Sequence, residues 1–290
     1  MDEEIVVRSP GKINLHLDIK ARRADGFHEI LSLFHMVDLA DQIRMCSLKE
    51  NDVCRIEGDF DCPVQENLIW KAWDQFRRRT GIRQGWTVRV EKRIPAGAGL
   101  GGGSGNAASV LDGLNRLYGS PLDRETLLEA AGELGSDVPF FLGGAAALVR
   151  GRGEILEELP AREEFRGVLI VPELKISTPE AYRLFDREGR VVDGLPGERL
   201  RQVYLEKKPA EWPFFNSFRD PLYRKYPVLA ETEAALSRSG AVFTSLSGSG
   251  SAVYGLFAGE NEAEEAEKTL KRTFSRVWKI KLLANQVGSY

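Results

Sequence analysis

Apolar and polar side chains alternate along the first strand-like segment of the chain. The odd positions of residues 13–19 are apolar and the even ones polar, a period of two that predicts a half-buried β-strand. Lys12, Asn14 and His16 then share the polar face of that strand. Residues 87–92 alternate in the same way and predict a second strand with one face in solvent.

Helical spacing of apolar residues marks other parts of the first half. The pattern holds over residues 66–79, 107–117 and 125–134, and it predicts three amphipathic helices. Ser104 or Asn106 is expected to cap the second of these helices, because short polar side chains bond free N–H groups at a helix start.

The second half of the chain predicts a mixture of strands and helices. Strands are expected at residues 145–149, 167–171, 242–246, 252–257 and 277–283. Helices are expected from Thr178, a candidate N-cap followed by proline, and over residues 216–236 and 262–274. The charged, irregular segment at residues 150–166 is the candidate domain boundary.

Composition excludes several classes of protein. The 290 residues are 42% hydrophobic, and 40 Lys and Arg nearly balance 43 Asp and Glu, for a formal net charge of -3. This balance favours neither nucleic acid nor a membrane as partner. We expect a cytoplasmic location, because the sequence shows no signal-peptide pattern and no apolar run long enough to span a bilayer. Cys46, Cys54 and Cys62 lack zinc-site spacing and are expected to be free thiols.

A glycine-rich stretch at residues 95–108 is the main candidate for chemistry. It reads Pro-Ala-Gly-Ala-Gly-Leu-Gly-Gly-Gly-Ser-Gly-Asn-Ala-Ala and leads into the helical segment at 107–117. A backbone without side chains can approach a ligand closely and point several N–H groups at it. The positive end of the following helix favours an anion at the same place. The stretch therefore predicts a phosphate site, with a flexible linker as the less favoured alternative.

Two better-known phosphate loops fit this stretch less well. The spacing Gly97-x-Gly99-x-x-Gly102 satisfies the dinucleotide fingerprint, but that fold needs a continuously apolar first strand, and residues 87–92 alternate. A Walker loop needs a Lys-Ser or Lys-Thr pair after its glycines, and none follows here. A second small-residue loop at residues 247–251 is either a simple hairpin turn or a second wall over the same phosphates.

Three short motifs follow one another along the chain. They read Ser-Pro-Gly-Lys-Ile-Asn-Leu at 9–15, Pro-Ala-Gly-Ala-Gly-Leu-Gly at 95–101 and Ser-Leu-Ser-Gly-Ser-Gly-Ser at 245–251. In this order they resemble the motifs of the GHMP small-molecule kinase superfamily. Within it, the chain is most similar to the 4-diphosphocytidyl-2-C-methyl-D-erythritol kinase family of the non-mevalonate isoprenoid pathway. That similarity rests on Arg-Ala-Asp-Gly-Phe-His at 23–28, the triple glycine at 101–103 and Leu-Gly-Ser-Asp-Val-Pro at 134–139.

The resemblance implies an α+β, two-domain GHMP kinase fold with the active site in the cleft between the domains. Residues 1–158 are expected to form an ATP-binding domain like the second domain of ribosomal protein S5. Residues 159–290 are expected to form a ferredoxin-like, substrate-binding domain, whose last strand is a candidate to pack on the first domain. The implied reaction uses ATP with Mg²⁺ to phosphorylate the tertiary 2-hydroxyl of a small molecule that carries a cytidine diphosphate group.

The resemblance also assigns residues. Asp137 matches the catalytic aspartate that accepts or orients the hydroxyl proton, and Lys12 matches the catalytic lysine. Taken alone, they are more simply a helix cap and a solvated surface charge. The nucleotide is assigned to Pro95, Ala96, Gly97, Ala98, Gly99, Leu100, Gly101, Gly102, Gly103, Ser104, Gly105, Gly248 and Gly250, with Asn67, Leu68 and Lys92 near the adenosine. Ser104 is also the candidate magnesium ligand. The substrate is assigned to Asn14, Phe27, His28, Phe34, Thr178 and Tyr182, with Phe27 and Tyr182 sandwiching the cytosine and His28 reading its edge.

Three positions depart from the family pattern, and two other functions stay open. Gly11 replaces the more frequent alanine, Phe27 replaces tyrosine, and Gly105 replaces a second serine, which weakens any case for serine hydroxyls on magnesium. The alternatives are a mevalonate-type or homoserine-type GHMP kinase and a non-catalytic, nucleotide-binding regulatory protein. We expect a monomer or weak homodimer that binds neither nucleic acid nor membrane.

Overall fold

Two β-sheets organise the computed structural model, which describes residues 3–188 and 194–285. The first sheet contains β1 (Glu4–Arg22), β2 (His28–Asn51), β3 (Cys54–Glu57), β4 (Gln84–Glu91), β5 (Ala146–Arg150) and β6 (Ile155–Leu159). Its order is β3-β4-β2-β5-β6, and β1 pairs with β2. The second sheet contains β7 (Arg166–Ile170), β8 (Phe243–Leu246), β9 (Val253–Phe257) and β10 (Val277–Lys281), in the order β10-β7-β9-β8.

Helices cover both sheets. Within the described ranges they are α1 (Leu68–Thr80), α2 (Gly102–Leu117), α3 (Arg124–Leu134), α4 (Thr178–Glu188), α5 (Gly197–Glu206), α6 (Arg219–Lys225), α7 (Pro227–Arg238) and α8 (Glu260–Leu270). Three short 3₁₀ turns lie at Val64–Glu66, Pro139–Leu142 and Pro209–Glu211. The first three α-helices pack together, and α2 lies on β1, while α7 and α8 pack on the second sheet. The predicted division at 158/159 stays a proposal; the first sheet ends at Leu159 and the second begins at Arg166.

Residues 13–19 of β1 are buried on both faces, so the prediction of a half-buried strand is wrong. Asn14 and His16 are 2% and 1% exposed, and Asn216 forms a backbone bridge with Leu17 at the edge of the strand. The Leu17 N–H donates to the carbonyl of Phe215, at 2.8 Å. The Phe215 N–H donates to Nδ1 of His16 at 3.3 Å. A segment about 200 residues away in sequence therefore covers His16, while Lys12 and Asn14 on the same face line an internal cavity.

Several predicted boundaries also change. The segment at 150–166 is not irregular, because β6 pairs antiparallel with β5. The helix predicted at 216–236 is two helices, α6 and α7, because Pro227 cannot donate the N–H that would continue the first one. Helix α5 was not predicted. The strand predicted at 277–283 joins the second sheet as β10, and its end also contacts the first sheet through a bridge between Leu282 and Val37.

Two predicted helix caps are replaced by neighbours. Helix α2 begins at Gly102 with Gly101 as its N-cap, so Ser104 and Asn106 lie inside the helix. In front of α4, the Ser177 hydroxyl accepts from the Glu180 N–H at 3.3 Å. The hydroxyl of Thr178 instead bonds the Ser249 hydroxyl at 3.0 Å, which ties the start of α4 to the second loop.

Candidate active site

A cavity of about 1140 Å³ lies between the two sheets. It is lined by the glycine-rich loop, the starts of α1 and α2, the polar face of β1, the β1–β2 turn, the Asp137 loop and one face of α4. Every residue assigned to catalysis, nucleotide, metal or substrate lines it except Gly105 and Gly250. Gly105 is buried where a Cβ would lie 2.8 Å from the Pro10 carbonyl, so it lets α2 approach β1. Gly250 turns its N–H onto the Ser247 carbonyl, at 2.9 Å.

The glycine-rich loop wraps the start of α2 with its backbone exposed to this cavity. Gly101 has φ of +68° as the N-cap, a conformation that costs a side-chain-bearing residue about 1–2 kcal/mol. The Gly105 N–H donates to the Gly101 carbonyl at 2.8 Å. The backbone N–H groups that precede Gly105 in the first turn of α2 have no hydrogen-bond acceptor within the helix. At Gly97, an added Cβ would have no heavy atom within 4 Å, so the loop leaves room for a ligand.

The second loop, residues 247–251, packs directly on the glycine-rich loop. The Ser247 hydroxyl donates to the Gly99 carbonyl at 2.9 Å, and the Ala252 N–H donates to the Ala98 carbonyl at 3.1 Å. A Cβ on Gly248 would lie 3.2 Å from the Gly99 carbonyl oxygen and 3.4 Å from Oδ1 of Asn14. The two loops therefore form one continuous wall beside β1.

A fully buried carboxylate, Asp41 on β2, fixes both ends of the glycine-rich loop. Its Oδ1 accepts from the N–H groups of Arg93 and Ile94, at 2.7 and 2.8 Å, just before the loop. Its Oδ2 accepts from the Lys92 ammonium and from Nδ2 of Asn106, which lies in α2. Sequence reasoning missed Asp41, because its partners are 51–65 residues away.

Lys12 and Asp137 form the charged pair of the cavity. Nζ of Lys12 lies 3.7 Å from Oδ2 of Asp137, and the two side chains are 4% and 34% exposed. The Lys12 ammonium also donates to Oδ1 of Asn14 at 2.7 Å and lies 4.4 Å from the centroid of the Phe34 ring. Burial lowers the pKa of Lys12 below its ordinary value of 10.5, and the charge of Asp137 opposes that shift. The alternative of a solvated surface lysine is wrong.

Aromatic side chains gather at the other end of the cavity. Phe27 is 56% exposed, with the Arg152 guanidinium 5.0 Å from its ring centroid. The rings of His28 and Tyr182 are stacked, with centroids 5.1 Å apart and planes at 18°. Burial, with the charges of Asp137 and Asp186, raises the pKa of the Tyr182 hydroxyl to about 12, so it stays neutral.

The remaining assigned residues lie on the glycine-loop side. Asn67 is the N-cap of α1 and accepts from the Ile69 N–H at 3.0 Å. A Cβ on Gly103 would lie 4.0 Å from Cδ1 of Leu68. Among the described residues, no group of three or more His, Cys, Asp or Glu is placed to hold a metal ion. No helix in the same ranges has the length and apolar character needed to cross a bilayer.

Comparison with known proteins connects this geometry to a family. The model for the GHMP kinases N terminal domain matches residues 67–145, and the model for the GHMP kinases C terminal domain matches residues 210–276. A curated protein of Treponema pallidum (strain Nichols), named 4-diphosphocytidyl-2-C-methyl-D-erythritol kinase, is 39% identical over 97% of this chain and 99% of its own. The chain belongs to the 4-diphosphocytidyl-2-C-methyl-D-erythritol kinase family. Another curated protein with that name, from Syntrophomonas wolfei, is 35% identical over 96% of this chain and 98% of its own.

Solved structures confirm the two-domain GHMP kinase fold predicted from the motifs. A crystal structure of 4-(cytidine 5'-diphospho)-2C-methyl-D-erythritol kinase matches with a TM-score of 0.82 and 35% identity, over 96% of this chain and 99% of that one. A homoserine kinase from Cytophaga hutchinsonii has the same fold, with a TM-score of 0.76 but 18% identity over 99% of this chain and 96% of that one. The family, rather than the shared fold, therefore distinguishes this chain from homoserine-type kinases.

Proposed function

We propose that the chain transfers the γ-phosphoryl group of ATP to the 2-hydroxyl of 4-diphosphocytidyl-2-C-methyl-D-erythritol, giving the 2-phosphate and ADP. One observation carries this proposal: the same cavity holds a glycine-lined wall, the Lys12–Asp137 pair and an aromatic platform of Phe27, His28 and Tyr182. A wall for phosphates, a proton acceptor and a base-binding end are what this reaction requires.

Asp137 would orient the substrate hydroxyl and accept its proton. A hydroxyl is a poor nucleophile, and a positioned base contributes about 10²–10⁴-fold to such a step. The carboxylate is 34% exposed, and its Oδ2 lies 3.7 Å from Nζ of Lys12. Its oxygen therefore has a free approach from the acceptor side.

Lys12 would face the transferring phosphoryl group. Phosphoryl transfer spreads negative charge over the equatorial oxygens, and a fixed cation in a dry site stabilises that charge without reorganising. Asn14 and Phe34 hold the ammonium in place, and the Lys12 backbone N–H donates to the Leu100 carbonyl at 2.9 Å. This contact keeps the lysine in register with the glycine-rich loop.

The glycine-rich wall fits a nucleotide triphosphate. A Cβ on Gly102 would lie 2.9 Å from Ile94, so the loop is packed against the protein at this residue. The space over Gly97 is open, so a ligand can approach the loop there. Residues 95–103 and the first turn of α2 would hold the phosphates through their N–H groups, with Gly248 opposite. Asn67, Leu68 and Lys92 would border the adenosine. ATP supplies the phosphoryl group.

Mg²⁺ would enter with the nucleotide. This ion usually keeps several waters and binds substrate phosphates. With no cluster of acidic or histidine ligands in the described ranges, phosphate oxygens and water would supply most of its coordination. The Ser104 hydroxyl, in the first turn of α2, is the protein group we assign to it.

The aromatic end would bind the cytidine. Phe27 offers an exposed face, and stacking of a base on an aromatic ring is worth about 1–3 kcal/mol. Tyr182 would stack on the other face of the base, and His28, whose ring centroid is 5.1 Å from that of Tyr182, would meet the base edge. Arg152 lies beside Phe27, and a Cβ on the next residue, Gly153, would lie 3.7 Å from Asp137. The Arg152 turn therefore borders both Phe27 and Asp137, and the diphosphate of the substrate would pass beside it.

A coupled assay of ADP release tests the proposal. The purified chain is given ATP, Mg²⁺ and one acceptor at a time: 4-diphosphocytidyl-2-C-methyl-D-erythritol, mevalonate or homoserine. We expect turnover with the first acceptor at least about 10³-fold above the others in kcat/KM, because neither smaller acceptor can fill the base platform. Turnover on mevalonate or homoserine alone would contradict the substrate, and release without any acceptor would indicate a different reaction. The cytoplasmic location and the monomer or weak homodimer stay predictions.

A further inference from the structure

We propose that Asp186 sets the preference for cytosine over uracil by fixing which nitrogen of His28 carries the proton. This inference rests on the proposed function, since it concerns the base of the same substrate. Asp186 acts through His28 and is therefore a positioning residue that determines specificity.

The contact between the two side chains is direct. Nε2 of His28 lies 2.8 Å from Oδ1 of Asp186. A carboxylate only accepts hydrogen bonds, so Nε2 must carry the hydrogen in this pair. A neutral imidazole that donates through Nε2 has a lone pair at Nδ1. Among the described residues, no hydrogen bond to Nδ1 of His28 is seen, and the residue lines the cavity.

Packing prevents the imidazole from turning to exchange its nitrogens. The His28 side chain is 7% exposed. Its face lies on the Tyr182 ring, and the Phe185 ring meets it edge-on, with centroids 5.9 Å apart. Tyr182 and Asp186 are four residues apart on α4, which places them on one face of that helix. One helix therefore supplies both the platform and the carboxylate that orients the ring.

This arrangement distinguishes the two pyrimidines by hydrogen bonding. Cytosine presents an exocyclic amino group, which donates, where uracil presents a carbonyl oxygen, which accepts. An acceptor at Nδ1 pairs with the amino group and opposes the carbonyl. Sites that match a donor to an acceptor reject the mismatched analogue far more strongly than sites that select by shape.

The test compares cytidine and uridine forms of the acceptor. For the parent chain, Asp186→Asn and Glu188→Gln, kcat and KM are measured with 4-diphosphocytidyl-2-C-methyl-D-erythritol and its uridine analogue, at about pH 8. Asparagine can accept from or donate to Nε2, so both forms of the ring become available. Glu188→Gln makes the same acid-to-amide change two residues away on α4, where Glu188 pairs with Arg187 and Arg224.

We expect Asp186→Asn to reduce the cytidine-to-uridine ratio of kcat/KM by about 10-fold or more, mainly through KM, with the KM for ATP unchanged. Glu188→Gln should keep the parent ratio. A parent-like ratio in Asp186→Asn contradicts the inference alone, whereas a parent chain inactive on the cytidine compound contradicts the proposed function as well. Nitrogen-15 spectra of the three histidines give an independent readout: the parent should show His28 with its proton on Nε2, and a proton on Nδ1 would overturn the inference.

Discussion

Gly99→Ala is the substitution that probes the contact between the glycine-rich loop and the second loop most directly. Gly99 has φ of +78°, and a Cβ there would lie 2.1 Å from the Ser247 carbonyl oxygen and 3.0 Å from its carbon. Real Cβ atoms essentially never come within 3.0 Å of another heavy atom, so the loops must separate by about 0.9 Å. Both contacts are with backbone, which cannot swing aside as a side chain can.

The cost has two parts. The left-handed conformation costs an alanine about 1–2 kcal/mol. Separating the loops breaks the hydrogen bonds from Ser247 to Gly99 and from Ala252 to Ala98, at about 1 kcal/mol each. We therefore expect Gly99→Ala to lower the free energy of unfolding by about 3–4 kcal/mol. Loss of the joint wall should also lower kcat/KM for ATP by about 30-fold, the equivalent of about 2 kcal/mol.

Gly81→Ala is the matched control. Gly81 has φ of +75° after α1, and an added Cβ would have no heavy atom within 4 Å. It carries the same backbone strain without the collision, so its loss should be about 1–2 kcal/mol, with kcat/KM unchanged. Urea unfolding followed by circular dichroism measures both variants. If Gly99→Ala loses no more stability than Gly81→Ala, the collision of the two loops is not real.

Three further results are expected. Asp137→Asn should bind ATP with nearly parental affinity but lose about 10²–10⁴-fold in kcat, and a parental rate would exclude a proton-handling role. Because burial lowers the pKa of Lys12, kcat/KM for ATP should decrease with rising pH before pH 10.5 is reached. A pH profile of kcat/KM that stays flat up to pH 10.5 would refute this. Burial also lowers the pKa of His16 to about 3 and of His35 to about 4, from 6.5. The unfolded chain then binds more protons, so the free energy of unfolding should decrease as the pH is lowered from 7 to 5. The decrease should be at most about 1.4 kcal/mol per pH unit for each of these two histidines. Urea midpoints that do not change over this pH range would contradict this.

Local patterns predicted much of the fold. Helix α3 matches the apolar spacing at 125–134 almost to the residue, and the glycine-rich loop leads into α2 as expected. Such features depend on neighbouring residues, whose spacing the sequence shows directly. The irregular reading of 150–166 failed for a related reason: β6 carries two glutamates and is stabilised by pairing with β5, which its own composition does not reveal.

The long-range parts of the site were beyond local reasoning. Burial of His16 depends on Phe214 and Phe215, and Asp41 reaches partners in the segment after β4 and in α2. Asp186 contacts His28, which lies 158 residues earlier in the sequence. The sequence around Asp186 predicts only the polar side of a helix. The motifs did indicate Lys12 and Asp137, and the structure places the two within 3.7 Å of each other. Their roles remain proposals until tested.

The position of the transferred phosphate tests the central claim most directly. After turnover of 4-diphosphocytidyl-2-C-methyl-D-erythritol with ATP, the product is examined by phosphorus-31 NMR with and without proton decoupling. The 2-carbon is tertiary and carries no hydrogen, so the account predicts one new phosphomonoester, equimolar with ADP, whose signal shows no splitting through the ester oxygen. A doublet or triplet would place the phosphate on a secondary or primary hydroxyl and contradict the account, as would the absence of a new phosphomonoester.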